Sequence, residues 1–368
     1  MILSIYLLRG ATGKMDFRII NWNIGGAKFL EQKENKRAKT RAKINGELNT
    51  LIEKYDPDVI TLQEVVQYRD SNGDLIDLID PPDKYNYYSF PLIDTDRLSF
   101  KGKWNKIRRN GGWSPETFFA QGNAILHHKN VAHVPVCSLS NGKEANTVDR
   151  HYVEQVNIES GLYFGDRNTE PRSALVSHFI FNYKNDPKPQ DVFVVNIHLT
   201  TLTMEREGIP EIDLRAKKIR LNQLDIIFNG IVSRYNTWRL EGFLDRGKKL
   251  KLSKEKETIK RHEPLWVLVG DFNFTQESEE YESIKRMNFV DVIVPDKKAP
   301  GTKAKGLGKP ATIVVDYIFA GPKFIALDPN ITKIDHIENC VDHDSKSSDH
   351  YPCIATITVR RQPISRHN

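Results

Sequence analysis

Along this chain, apolar runs repeatedly end in a polar residue that can coordinate a cation or move a proton. Asn23 follows Ile19-Ile20-Asn21-Trp22, Glu64 follows Val59-Ile60-Thr61-Leu62-Gln63, and His198 follows Val194-Val195-Asn196-Ile197. Asp271 and Asn273 follow Leu268-Val269-Gly270, Asp316 stands within the run 313–319, and Asp349-His350 precede the run 351–359. Taken singly, an Asp or His near a strand end is usually a turn residue or a satisfied hydrogen-bonding group. Taken as a set, the carboxylates Glu64, Asp271, Asp316 and Asp349 would repel one another unless cations neutralised them or protons were taken up. Oxygen donors without thiolates suit a hard divalent ion, Mg²⁺ or alternatively Mn²⁺, and Mg²⁺ characteristically completes its shell with water and substrate phosphate. The chemistry indicated is hydrolysis of phosphate esters, which needs a polarised phosphorus, an activated water in line with the leaving group, and charge relief on the departing oxygen. His350 is the expected base or orienting group for that water, because imidazole titrates near neutrality, and Asp316 the carboxylate that fixes its tautomer. Asp271 and Asn273 are expected to position the nucleophile and a phosphoryl oxygen, and His198 to donate to the same phosphate.

Side chains with these tasks need rigid strands that end at a common edge. The sequence predicts strands at 17–24, 59–62, 122–126, 154–164, 173–183, 192–199, 264–269, 311–319 and 351–359, with mostly antiparallel pairing. A helix runs through Leu48, Leu51, Ile52 and Tyr55 until Asp56-Pro57-Asp58 stops it. A long amphipathic helix is predicted over 212–235, with Leu214, Leu221, Leu224, Phe228, Ile231 and Tyr235 on one face. Residues 66–120 carry Asp, Asn, Gly and Pro clusters and read as long surface loops near one end of a sheet. The aromatic residues among them (Tyr85, Tyr87, Tyr88, Phe90, Trp104, Trp113) suit either base stacking or a satellite core.

The 368 residues allow one large α/β domain or two modest ones. Apolar runs fall far short of the roughly 20 residues of a membrane span, so no span is expected. Subtracting 48 acidic from 54 basic residues leaves +6, a mild excess that suits an anionic partner. Cys137, Cys340 and Cys353 are too few and scattered for a disulfide framework or a thiolate zinc site. Residues 1–14 read as an extension outside the fold, 15–362 as one domain and 363–368 as a tail. The apolar start Met1 to Leu8 is short for a signal sequence and lacks a preceding basic residue, so the cytoplasm is the expected location and a monomer the expected state. Basic segments at 246–261 and 301–310, the latter with Lys303, Lys305 and Lys309, could contact a polyanion or be solvated loops; the glycine spacing of the second does not match a Walker phosphate loop.

The motifs Asn21-Trp22-Asn23-Ile24, Leu62-Gln63-Glu64, Pro171-Arg172-Ser173-Ala174-Leu175, Asn196-Ile197-His198-Leu199, Gly270-Asp271-Phe272-Asn273, Val315-Asp316-Tyr317-Ile318-Phe319 and Ser348-Asp349-His350 follow one another over nearly the whole chain beyond Asp16. In that order they resemble the endonuclease/exonuclease/phosphatase superfamily, whose fold is that of deoxyribonuclease I. The resemblance implies a four-layer α/β sandwich, two mixed and mostly antiparallel sheets flanked by helices. It also implies metal ligation by Asn23 and Glu64 with help from Asp349, work on water and phosphate by Asp271 and Asn273, a dyad of Asp316 and His350, and phosphate contacts from His198, Asn273 and Arg172. The chain departs from the inositol-phosphatase branch, which carries Pro-Ala-Trp-Cys-Asp-Arg where Thr312 to Tyr317 stand here. It departs also from abasic-site endonucleases, which have Asn where His198 stands, so it resembles a bacterial-type member of undefined substrate. The expected activity is that of a metal-dependent phosphodiesterase acting on nucleic acid. Alternatives are a phosphomonoesterase or lipid-headgroup phosphodiesterase with the same site, and a catalytically silent binding module.

Overall fold

A strand buried on both faces reads as a near-continuous apolar run, because successive side chains alternate between the two sides of its sheet. That is the pattern of the runs at β1 (Lys14–Asn23), β2 (Val59–Arg69), β11 (Pro189–His198) and β12 (Leu265–Asp271). A computed structural model of the chain describes residues 14–70, 72–94, 107, 109–113, 119–134, 136–137, 150–158, 172–182, 189–202, 205–235, 264–293, 301–304, 311–321 and 332–361. Between β2 and β11 come β3 (Leu75–Asp77), β4 (Tyr85–Asp94), β5 (Phe119–His128), β6 (Ala132–Val134), β7 (Val136–Cys137), β8 (Arg150–His151), β9 (Val153–Asn157) and β10 (Ser173–Asn182). After β12 come β13 (Val290–Asp291), β14 (Lys303–Ala304), β15 (Ala311–Ile313), β16 (Asp316–Gly321), β17 (Thr332–Val341) and β18 (Cys353–Arg361). The helices are α1 (Gly26–Leu30), α2 (Glu34–Tyr55), α3 (Pro210–Asp225), which continues as a π-helical segment Ile226–Val232, and α4 (Glu279–Arg286).

Two seven-stranded sheets result. The first has the order β17-β18-β1-β2-β5-β4, with β3 beside β2; the second has β13-β16-β12-β11-β10-β6, with β9 beside β10. Each contains one parallel pair, β1 with β2 and β11 with β12, and otherwise antiparallel pairs. A parallel pair needs a crossover, and α1 with α2 supplies the first while α3 supplies the second.

Alternation then divides the core into three layers. Phe17 and Ile19 of β1 meet Val192 and Val194 of β11 and Val267 and Val269 of β12 between the sheets. The opposite face of the first sheet, with Ile20, Trp22, Ile60 and Leu62, packs on Ile44, Leu48, Leu51 and Ile52 of α2. The outer face of the second, with Val195, Ile197, Trp266 and Leu268, packs on Leu224, Ile227 and Ile231 and on Tyr281 and Ile284 of α4. Each such side chain contributes about 1.5–3 kcal/mol by leaving water. The result is the α/β/β/α sandwich of deoxyribonuclease I type. Helix α2 ends at Asp56, whose φ of 43° is left-handed and whose N–H reaches Ile52 O at 2.9 Å, with Pro57 next. Among the described residues no helix is long and apolar enough to cross a membrane.

Several expectations need correction. Residues 66–120 are not simply surface loops: β4 is a full strand paired with β5, and Tyr85 and Trp113 are buried in the α2-side core. Tyr87 packs on that core, and Tyr88 and Phe90 on the central one, so these rings serve the fold; Trp104 lies outside the described residues. The predicted helix face is misplaced at its start, since Leu214 is 49% exposed while Ala216 and Ile219 are buried. The run 311–319 is two strands, broken at Val314-Val315, where Thr302 Oγ1 accepts hydrogen bonds from Val315 N and Asp316 N at 3.1 and 3.0 Å. Strand β1 begins at Lys14; residues 1–13, the basic segment 246–261, Lys305, Lys309 and the tail 363–368 lie outside the described residues.

Candidate active site

The carboxyl ends of both parallel pairs meet at one end of the sandwich. Register places His198, Asp271 and Asp316 side by side across β11, β12 and β16, while Asn23 opposes Gln63 across β1 and β2. His350 arrives on the segment before β18, held by Trp22 Nε1, which donates to His350 O at 3.1 Å, and by Ser348 Oγ, which accepts from His350 N at 3.1 Å and donates to Asn23 O at 2.7 Å. Glu64 sits where β2 slips register against β5 between Leu62 and Val65, with a left-handed φ of 57°. Such a conformation costs a non-glycine residue of order 1–3 kcal/mol. It takes Glu64 out of strand alternation, and its Oε2 accepts from Ala27 N at 3.0 Å and from Gln121 Nε2 at 2.9 Å. Asn273, at φ 54°, makes a comparable turn after β12.

Asp271 is the hub. Its Oδ2 accepts from Asn23 Nδ2 at 3.0 Å and lies 3.7 Å from both His198 Nε2 and His350 Nε2; its Oδ1 accepts from Asn273 N at 3.0 Å. His350 Nδ1 lies 2.9 and 3.0 Å from the two oxygens of Asp316, an orientation that turns Nε2 toward Asp271. Asn273 Nδ2 donates to Leu199 O at 3.0 Å, which fixes its amide and leaves Oδ1 buried without a hydrogen-bond partner. A buried acceptor left so costs about 1–3 kcal/mol, which a water or substrate donor would recover. Asp349 forms an ion pair with Lys28 at 2.5 Å, and its Oδ1 comes within 3.7 Å of the position a Cβ on Gly25 would take. Gly25 N donates to Asn23 Oδ1 at 3.0 Å, so Asn23, Glu64 and Asp349 all border the segment 25–28. Gly26 is required there, since a Cβ would come within 1.9 Å of Glu64 O. Arg172, buried before β10, completes the set by its charge on His198.

Burial, then the positive charge of Arg172, pushes the His198 pKa down to about 3 against the pull of Asp271 and Glu64, so this imidazole is neutral near pH 7. For Asp271, burial opposes ionisation, but His350, Lys303, His198 and the Asn23 hydrogen bond outweigh it and hold its carboxyl below the ordinary range. His350 goes the other way: burial disfavours its charge, yet the carboxylates of Asp316 and Asp271 outweigh burial and raise its pKa. Burial and the charge of Asp271 raise Asp316.

Asn23, Glu64, His198, Asp271, Asn273, Asp316, Asp349 and His350 come together here, with Arg172 acting through its charge, but several partners were missed. Gln63 Nε2 donates to Asn21 Oδ1 at 2.8 Å and across the sheets to Asn196 Oδ1 at 2.7 Å, while Asn196 Nδ2 donates to Leu62 O and Ala124 O. These buried amides tie the sheets together beneath the site; the signal was a polar residue inside each apolar run. Arg206, whose guanidinium donates to Asn273 O, carried no such signal, and Lys303, whose charge acts on Asp271 and His350, was read only as part of a basic loop that could contact a polyanion. Asp271, Asp316 and His350 can offer ligand atoms within 4.8 Å of one another. In this set, however, His350 Nδ1 and both Asp316 oxygens already satisfy each other.

Comparison with solved structures finds an endonuclease/exonuclease/phosphatase family protein from Bacteroides thetaiotaomicron, 12% identical, TM-score 0.49, with 97% of this chain and 99% of that one covered. D. rerio TDP2, complexed with a single-strand DNA product, is 15% identical with TM-score 0.47, covering 93% and 98%. A functionally unknown conserved protein from Enterococcus faecalis V583 is 14% identical with TM-score 0.44, covering 93% and 99%. No curated protein matches the chain. The model of the Endonuclease/Exonuclease/phosphatase family matches residues 20–350, from within β1 to His350, and the chain belongs to that family.

Proposed function

We propose that this protein is a divalent-metal-dependent phosphodiesterase that cleaves nucleic acid by in-line attack of a water on phosphorus. Family members are usually metal-dependent phosphoester hydrolases. The observation that carries the reading is Asp271 Oδ2, set 3.7 Å from both His198 Nε2 and His350 Nε2, beside the unsatisfied Asn273 Oδ1. A site for an anionic phosphate needs donors on one side and an acceptor for the water's proton on another. Asp271 suits the acceptor because it stays ionised; Asn273 Oδ1 suits a second hydrogen bond to the same water. His350, whose pKa Asp316 and Asp271 raise, suits donation to a phosphoryl oxygen rather than the base role its residue type first suggested. His198 donates without adding charge, and Arg172 adds positive charge behind it.

The donor set around residues 25–28 fits a hard cation, because it consists of two carboxylates and a carboxamide oxygen with no thiolate. Glu64 would hold Mg²⁺ or Mn²⁺, with Asn23 Oδ1 and Asp349 beside it, and the bound ion supplies Lewis-acid polarisation of the phosphate. Asp349 would exchange its Lys28 contact for the ion. Nucleic acid is the proposed substrate because the chain is net positive, at +6, and because family members include nucleases. The test is nicking of supercoiled plasmid with Mg²⁺, beside a chelator control and His350→Ala. Nicking by the wild type alone, weakening steeply as salt rises, is the expected result. A folded protein that leaves plasmid intact but hydrolyses a small phosphomonoester would overturn the substrate assignment.

A further inference from the structure

Lys303 stands outside the machinery assigned above, yet its segment is stitched to that machinery. Tyr351 N donates to Thr302 O and Ala304 N to Asp349 O, both at 2.8 Å, while Thr302 Oγ1 accepts from Asp316 N at 3.0 Å. An antiparallel bridge sets Lys303 directly opposite His350. Directly opposed residues of such a pair project from the same face, so Lys303 leaves the backbone on the side from which His350 reaches Asp316 and Asp271. Its neighbour Thr302, on the alternate face, is fully buried. Lys303 is only half-buried, and it forms no ion pair with a described carboxylate, whereas Lys28 at the same edge is taken by Asp349. Its positive charge nevertheless acts on both Asp271 and His350.

We infer that Lys303 is a substrate-binding residue, its ammonium holding a non-bridging oxygen of the phosphate presented to Asp271 and His350. The inference rests on the phosphoester reading and deepens it by naming a cation that the family motifs do not contain. A lysine serves here as a flexible point charge, able to follow the phosphate as charge redistributes over its oxygens.

The experiment compares wild type, Lys303→Met, Lys303→Arg and His350→Ala in bis(p-nitrophenyl) phosphate hydrolysis across pH, and in thermal melting with and without inorganic phosphate. Loss of one charge-assisted contact should lower the kcat/KM plateau of Lys303→Met roughly 10- to 100-fold. Lys303→Arg should recover most of it, and the rise in Tm that phosphate gives the wild type should shrink in Lys303→Met. An unchanged plateau overturns the inference, as does a Tm that phosphate fails to raise in the wild type or raises equally in Lys303→Met. A lysine that merely kept Asp271 ionised would, when removed, shift the acid limb to higher pH and leave plateau and phosphate response alone, which also overturns it. His350→Ala separates the two levels: wild-type activity there sinks the site itself, whereas loss there with full activity in Lys303→Met sinks only the lysine.

Discussion

In the proposed reaction Asp316 acts only through His350, and that makes it the most informative single residue. Its carboxylate and that of Asp271 raise the His350 pKa, so the protonated donor extends to higher pH than an ordinary imidazole and is lost as pH rises through the raised value. Asp316→Asn should therefore move the basic limb of the pH–rate profile to lower pH and cut kcat by roughly 10²–10⁴; a basic limb that stays in place would show that His350 does not depend on its partner. Glu64 invites a second substitution: Glu64→Gln keeps shape and hydrogen-bonding capacity but removes the charge a hard cation requires. The Mg²⁺ concentration for half-maximal activity should rise at least about tenfold, with little change in Tm measured without metal. An unaltered metal requirement would place the ion elsewhere, at Asp271, Asp316 and His350. Residue types with their order along the chain were enough to single out Asp271, Asn273, Asp316 and His350. Lys303 was visible only as one of several lysines in a basic loop, because its meaning comes from a bridge to a residue 47 positions away. The left-handed turn at Glu64 was equally hidden, since nothing in Leu62-Gln63-Glu64 requires a positive φ.

The parallel pairs are the elements that converge the site, and their close fit is testable. Gly270, one residue before Asp271, has φ 148°, and a Cβ there would come within 1.8 Å of Ile197 O on β11. Gly270→Ala should destabilise the fold by ~3 kcal/mol, read as a lower urea midpoint, because β11 and β12 cannot separate without dragging His198 and Asp271 apart. A midpoint equal to wild type would mean that the pair is looser than this packing implies. Strand positions were largely legible because β1, β2, β11 and β12 are buried on both faces and so read as apolar runs. β4 was not: Asn86, Ser89 and Pro91 interrupt it, and only its pairing with β5 overrides the loop-like composition. The break between β15 and β16 was hidden for the opposite reason, since Ile313-Val314-Val315 is apolar and the interruption comes from the hydroxyl of Thr302. The start of α3 misled because its buried face there runs through Ile212, Ala216 and Ile219 onto Leu202, which leaves Leu214 in solvent.

At the scale of the whole molecule, the sandwich buries imidazoles at both of its ends, with consequences for acid stability. Burial is the largest cause that lowers His127, His133 and His198, and the last two fall to about 3 from an ordinary 6.5. Neutral when folded and protonated when unfolded, these groups leave stability complete above about pH 6.5 and erode it as pH falls toward 3. His350, raised by folding, has the opposite sign: its contribution is present below about 6.5 and fades as pH rises, so one group partly offsets what the other three lose. The denaturation midpoint should drop between pH 7.5 and 5.5, and drop less in His133→Gln; a midpoint independent of pH over that range would contradict neutral burial. Overall architecture was legible from motif order and α/β alternation, whereas the layering came from which face of each strand meets which helix. The central claim is that this end of the sandwich directs a water at phosphorus under the control of Asp271. Its most direct test is cleavage of DNA in ¹⁸O-enriched water with Mg²⁺ by wild type and Asp271→Asn. One ¹⁸O atom per product phosphate, with a rate loss of about 10³-fold in an equally stable Asp271→Asn, is the predicted result; no cleavage by the wild type, unlabelled phosphate, or an undiminished rate in the variant would contradict it.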